Sequence, residues 1–152
     1  MKAIQVLKPG GPEALTLADL PVPQPKPNEA LIKVAASGVN FIDVYFREGR
    51  YPAPLPFVDG QEGSGVVTQA GSEVKSLKPG DRVAWTGVLG SYAEYAVVPV
   101  DRLIKVPDGV DDRHAAAAML QEAGPPAEVD KNGGCSMSWR GSVSVDAQRR
   151  VG

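Results

Sequence analysis

The chain alternates short apolar runs with turns marked by proline and glycine. Ala3 to Leu7 and Leu15 to Leu20 flank Pro9-Gly10-Gly11-Pro12, a turn signal between two apolar segments. Glu29 to Ser37 places Leu31, Lys33 and Ala35 on one face and Ile32, Val34 and Ala36 on the other, the two-residue period of a strand. Further strands are predicted over Gly65 to Ala70, Arg82 to Trp85, Tyr92 to Val98 and Leu103 to Val106. Ala70-Gly71-Ser72 and Lys78-Pro79-Gly80-Asp81 supply turns between them. The proline-rich Pro21 to Pro27 reads as a rigid extended connection on a barrel rim rather than as a linker.

Two segments switch to helical periodicity. Asn40 is placed to cap a short helix over Phe41 to Glu48, closed by Gly49 where a left-handed residue is wanted. Asp111 or Asp112 is placed to cap a second, through the alanine-rich His114 to Leu120. The fold class is therefore mainly β: a partly open β-barrel with two short helices. The first sits at the mouth of the barrel and the second leaves it.

Composition sets the outer limits. The chain has 152 residues, 43% hydrophobic and 22% charged, so one domain with a real core is expected and two full domains are not. A net charge of −2 gives no reason to expect nucleic acid or an anionic membrane as partner. No apolar run approaches a membrane span, and the N-terminal apolar stretch is too short for a signal peptide, so a cytoplasmic protein is the default expectation. The single cysteine, Cys135, excludes an intrachain disulfide and a multi-cysteine zinc site.

The periodicity ends near Gln121. Gly124-Pro125-Pro126 stops a helix, and the Gly-, Ser- and Arg-rich remainder sustains neither period. The reading is a domain over 1–121 and a largely disordered tail over 122–152. A shifted reading frame, a truncated gene or an interaction tail centred on Met137 and Trp139 would each produce such a change. The tail carries no strand, glycine-rich turn and helix in succession, so no Rossmann domain is expected within it.

Several motifs occur in a telling order: Gly38-Val39-Asn40 with Asp43 and Tyr45, Arg47-Glu48-Gly49-Arg50-Tyr51-Pro52, Gly60-Gln61-Glu62-Gly63-Ser64-Gly65, Pro79-Gly80-Asp81-Arg82-Val83, and Gly90-Ser91-Tyr92-Ala93-Glu94-Tyr95. Over its first 121 residues the chain resembles the N-terminal, GroES-like domain of medium-chain dehydrogenases/reductases. Within them it is most similar to the zinc-free quinone oxidoreductases of the ζ-crystallin type. The resemblance implies hydride transfer from NADPH to a quinone or enone without a metal.

By the same resemblance, zinc is excluded. The family's alcohol dehydrogenases carry cysteine at the position of Asn40 and histidine at that of Gln61, ligands that suit a catalytic zinc where neutral amides do not. Their Ser or Thr proton relay is matched here by Ile42, and the cysteine-rich lobe is absent between Trp85 and Ser91. His114, on its alanine-rich helix, reads as a structural residue.

The resemblance assigns the catalytic positions to Asn40, Tyr45 and Gln61, with Glu62 nearby, and makes Asn40 and Tyr45 the residues facing the cofactor. Asn40 has the competing use of a helix cap, Tyr45 that of packing, and Asp43 that of a first-turn acid. The glycines of Gly60 to Gly65 lead into a strand, so they read as turn and close-approach positions rather than a phosphate cradle. A chain without the cofactor domain is expected to be inactive alone. The alternative is a non-catalytic GroES-like β-barrel that binds a partner or forms a homo-oligomer. A zinc-dependent dehydrogenase fragment is the least supported reading.

Overall fold

The computed structural model describes residues 1–119 together with Val145 and Asp146. In chain order its elements are β1 (Lys2–Val6), β2 (Leu15–Asp19), β3 (Glu29–Gly38), α1 (Phe41–Arg47), β4 (Phe57–Val58), β5 (Glu62–Ala70), β6 (Arg82–Thr86), β7 (Tyr95–Pro99), β8 (Leu103–Lys105), α2 (Asp112–Ala118) and β9 (Val145–Asp146). The strands form two sheets. One is β2-β1-β4 and the other β7-β3-β5-β6-β8, with β9 added on β3 at Ala36 and Ser37. All pairings are antiparallel and neither sheet closes.

The larger sheet holds the main core. Ala30, Ile32 and Val34 of β3 pack with Val67 of β5, Val83 and Trp85 of β6, and Ala96 and Val98 of β7. Ile32 and Val34 share one of the two faces set by the alternation of β3, while on the other Lys33 points to solvent and Leu31 is buried. Trp85 is fully buried, and Gly63 lies so close beneath its ring that an added Cβ would sit 2.8 Å from it. A smaller cluster of Val6, Ala14 and Phe57 lies under Phe46 of α1.

The segment Tyr92–Glu94 stitches the two sheets together. Ile4 N–H donates to the Tyr92 carbonyl at 2.8 Å and Glu94 N–H to that of Lys2 at 3.0 Å, while Val34 N–H reaches the Glu94 carbonyl at 2.9 Å. The expected strand over Tyr92 to Val98 therefore starts three residues later, at Tyr95, because Tyr92 to Glu94 bridge to β1 first.

Two other expectations change, and one strand was not anticipated. The strand predicted from Gly65 begins at Glu62, so part of the glycine-rich run is strand. Phe57–Val58 was too short to show a period and pairs with β1. The second helix does not leave the barrel: it lies against β3, β5 and β6, with Ala115 and Ala116 buried and the Ser64 hydroxyl donating to the Asp112 carbonyl at 2.6 Å. Its cap is Asp111, whose Oδ1 accepts the His114 N–H at 2.9 Å. The tail expected to be disordered lies outside the described residues, apart from the two that form β9.

Candidate active site

The site is built around the first turn of α1. Asn40 stands at the N-cap in an extended conformation (φ −126°, ψ 155°) and forms a capping box with Asp43. The Asp43 Oδ2 accepts the Asn40 N–H at 2.8 Å, and the Asn40 amide NH₂ donates to Glu62 Oε2 at 2.7 Å. Glu62 opens β5 and pairs with Gly38 across the ladder. The glycine is needed there, because a Cβ at residue 38 would collide with the Glu62 carboxylate. The residue that caps α1 thus also holds the Glu62 carboxylate through its side-chain amide.

Behind this turn lies a group of buried polar side chains. Asp43 is 4% exposed, Asp59 1%, Gln61 7% and Glu62 1%. The Tyr92 hydroxyl donates to Asp43 Oδ2 at 2.7 Å, and the Gly60 N–H donates to Asp59 Oδ1 at 2.8 Å. Burial pushes the Asp43 carboxyl above its usual range, with Asn40 N–H, the Tyr92 hydroxyl and the neighbouring Gln61 amide pulling it back. Burial also pushes Asp59 up to about 6, the Gly60 N–H opposing and the charge of Asp43 adding to the rise. Tyr92 is held well above the ordinary phenol range, first by burial and then by donating to Asp43. Asp43 Oδ1, Gln61 Nε2 and Ser91 Oγ are buried without a partner of hydrogen-bonding geometry.

Helix α1 has two working faces. Asn40, Asp43, Val44 and Arg47, at helical spacing, line a groove of about 480 Å³ whose far wall is the β1–β2 hairpin with Leu15 and Leu17. Phe41 and Tyr45 occupy the other face. There the Tyr45 ring meets Phe41 at 5.3 Å and Tyr51 at 5.6 Å, both edge-on, and the Arg50 guanidinium stands 5.2 Å from its centroid. Phe41 is 72% exposed. No described hydrogen bond engages the Tyr45 hydroxyl.

The structure therefore brings Asn40, Gln61 and Glu62 together around Asp43, and sets Tyr45 on an adjoining aromatic wall. Asp43, read as a first-turn acid, is the hub of the group. Sequence reasoning missed Asp59 and Tyr92. The signal for Asp59 was an acid directly after the apolar Phe57-Val58; Tyr92 lay within the Gly90 to Tyr95 motif, but its partner is 49 residues away. His114 is a surface residue whose ring nitrogen lies 2.7 Å from Asp111 Oδ2.

Comparison with known proteins identifies the family of the chain. Residues 26–108 match the alcohol dehydrogenase GroES-like domain. The chain is 48% identical over 122 residues to a quinone oxidoreductase of Pseudomonas aeruginosa, a match covering 79% of this chain and 38% of that protein. Among solved structures it is similar to a quinone oxidoreductase of Pseudomonas syringae pv. tomato, at 48% identity and a TM-score of 0.77 over 79% of this chain and 38% of the other. It is also similar to the Escherichia coli quinone oxidoreductase complexed with NADPH, at 37% identity and a TM-score of 0.77 over 80% of this chain and 38% of the other. The chain belongs to the alcohol dehydrogenase GroES-like domain family. It spans 38% of the length of the Pseudomonas aeruginosa relative.

Proposed function

We propose that this chain is the substrate-side domain of a metal-free, NADPH-dependent quinone or enone oxidoreductase. The observation that carries the reading is the chemistry of the wall at Asn40 and Gln61. Both are neutral amides held beside carboxylates, Asn40 through its 2.7 Å hydrogen bond to Glu62. Amides in that setting orient a ligand by hydrogen bonding and are poor zinc ligands. Among the described residues no group of three or more His, Cys, Asp and Glu could hold a metal. A quinone or conjugated enone is already electrophilic at carbon and accepts hydride there without a metal, so the protein contributes by positioning.

Asn40 and Tyr45 are the residues that would hold the nicotinamide end of NADPH. The fit rests on the half-buried Tyr45, whose hydroxyl is committed to no described partner, beside an aromatic wall suited to a planar ring. Bound NADPH supplies the hydride. Asn40, fixed by Glu62 and by the capping box, orients the ring amide or the acceptor oxygen, and Tyr45 offers a hydroxyl to the same partners. A pyrophosphate site needs a glycine-rich turn running into a helix N-terminus, and the described residues contain none. The chain alone is therefore proposed to bind NADPH weakly and to reduce quinones at background rate, with its domain boundary near residue 121 and its setting the cytoplasm.

Isothermal titration of the chain with NADPH tests the affinity. Joining the remainder of the Pseudomonas aeruginosa relative after Ala118 tests the activity. The expected outcome is negligible binding by the chain alone and NADPH-dependent quinone reduction by the chimera. Micromolar binding by the chain alone, or an inactive but folded chimera, overturns the reading.

A second reading is a non-catalytic module that docks a partner or forms a homo-oligomer. It is favoured by the exposure of Leu17 at 65% and Phe41 at 72%. Sedimentation of the chain alone distinguishes the two, since only this reading expects a concentration-dependent dimer without any gain of activity in the chimera.

A further inference from the structure

Asp43, in the first turn of α1, and Asp59, between β4 and β5, are both buried and both line the groove behind α1. Each is tied to backbone on a different element. Asp43 Oδ2 holds the Asn40 N–H at the start of α1 and the hydroxyl of Tyr92. Asp59 holds the Gly60 N–H through Oδ1, donates its own N–H to the Ile4 carbonyl of β1 at 3.2 Å, and receives the Tyr92 N–H at its carbonyl at 3.0 Å. Tyr92 thus binds one acid by its ring and the other by its backbone. Both acids line the groove behind α1, which gives solvent a path toward them.

The charges around the pair do not neutralise it. From α1, Arg47 faces Asp59 and lowers its carboxyl, but its side chain also reaches the Gly10 carbonyl at 3.3 Å and lies 3.9 Å from Glu48. From β1, Lys2 lines the groove and is paired with Asp19 at 2.7 Å. From the other sides come Tyr92, which donates to Asp43, Glu62, whose charge is felt at Tyr92, and Glu94, which lines the groove. Two carboxylates in such a site repel each other when both are ionised and attract when one is protonated.

We propose that Asp43 and Asp59 act together as an acid-tightened latch, which sets how firmly the first turn of α1, with Asn40, is fastened to the two sheets. With a proton on the pair, the second carboxyl can share hydrogen bonds with its neighbours and the junction closes. With the proton lost, like charges are buried together and the junction opens locally more often. The raised carboxyls of both residues agree with this direction. The inference stands independently of the reaction catalysed, because it concerns the hold on α1 and not the substrate.

Amide hydrogen exchange on the intact chain from pH 4 to 7, corrected for base catalysis, tests it. Protection at the N–H groups of Asn40, Gly60 and Tyr92 is expected to fall at least about tenfold across that range. Protection at Val67 and Val34, in the larger sheet, is expected to fall less, by no more than the loss of global stability over that range. Asp59→Asn should flatten the response at the three junction amides. Should that variant fail to fold, carbon-13 titration of the wild-type side-chain carboxyls replaces it, and both Asp43 and Asp59 are expected to titrate above the ordinary aspartate range. A fall shared equally by all amides, the same fall in Asp59→Asn, or two ordinary titrations would overturn the latch.

Discussion

Tyr92 and Asp43, 49 residues apart in sequence, meet through a hydrogen bond of 2.7 Å from the phenol to the carboxylate. The contact joins the segment linking the two sheets to the first turn of α1, so it fixes where Asn40 stands. Tyr92→Phe keeps the ring and deletes the donor. Asp43 then keeps only the Asn40 N–H as a described hydrogen-bond donor, beside the Gln61 amide. Loss of a hydrogen bond to a charged, buried partner costs about 1.5–3 kcal/mol. Urea unfolding of the variant at pH 7 is expected to show a drop of that size with an unchanged m-value, and a drop under 0.5 kcal/mol would show that the phenol is not a tie.

Asp59 has the opposite sign. It is buried, and its carboxyl stands at about 6 in place of the usual 3.8. The folded state therefore holds its proton to higher pH than the unfolded chain does. Between 3.8 and about 6, stability falls as pH rises, and above that window the cost stays constant. Asp59→Asn removes the ionisable group at nearly constant shape. At pH 7 the variant is expected to be more stable than the wild type, by at most about 3 kcal/mol on the linkage scale. At pH 4 the two should differ little. Thermal melts at the two pH values check this, and a variant less stable at both would mean that the Gly60 N–H needs the carboxylate more than burial penalises it.

Gly38 marks a close approach rather than a turn. Its partner across the β3–β5 ladder is Glu62, and an added methyl would meet that carboxylate. Gly38→Ala must push Glu62 aside, and with it the acceptor of the Asn40 amide. Overpacking of this kind costs about 1–3 kcal/mol. The double variant Gly38→Ala, Glu62→Ala is expected to recover part of that loss, so the two substitutions should be non-additive. Strict additivity in a double-mutant cycle would remove the proposed clash.

Most of the architecture was legible because the chain punctuates it. The turn at Pro9 to Pro12, the alternation of β3 and the cap-and-glycine bracket of α1 each act over a few residues, and each is found where it was read, with Gly49 at φ +76°. Elements that depend on distant partners were not legible. Phe57–Val58 has two residues and no period of its own, and the docking of α2 rests on Ala115 and Ala116 finding β3 and β5. The same division runs through the site. Asn40, Tyr45 and Gln61 were assigned by the family resemblance, whereas Asp59 and Tyr92 join the candidate site only when β1 and the Tyr92 segment close over it.

The final prediction separates packing from chemistry at Tyr45. The ring is held by Phe41 and Tyr51 edges and by Arg50, contacts that phenylalanine would preserve. The hydroxyl has no described hydrogen-bond partner, so its removal strands no buried group. Tyr45→Phe is therefore expected to change stability by less than about 0.5 kcal/mol, the range of an innocuous surface change. In the chimera carrying a cofactor domain, the same substitution should lower kcat/KM for a quinone by about tenfold, the loss of one hydrogen bond worth about 1.4 kcal/mol in the transition state. Tyr45→Ala should lower both stability and activity, since it also empties the aromatic wall. Urea unfolding of the chain and steady-state kinetics of the chimera read the two effects apart. A Tyr45→Phe chimera with unchanged kcat and KM would assign the residue to packing alone, and leave Asn40 and Gln61 to carry the site.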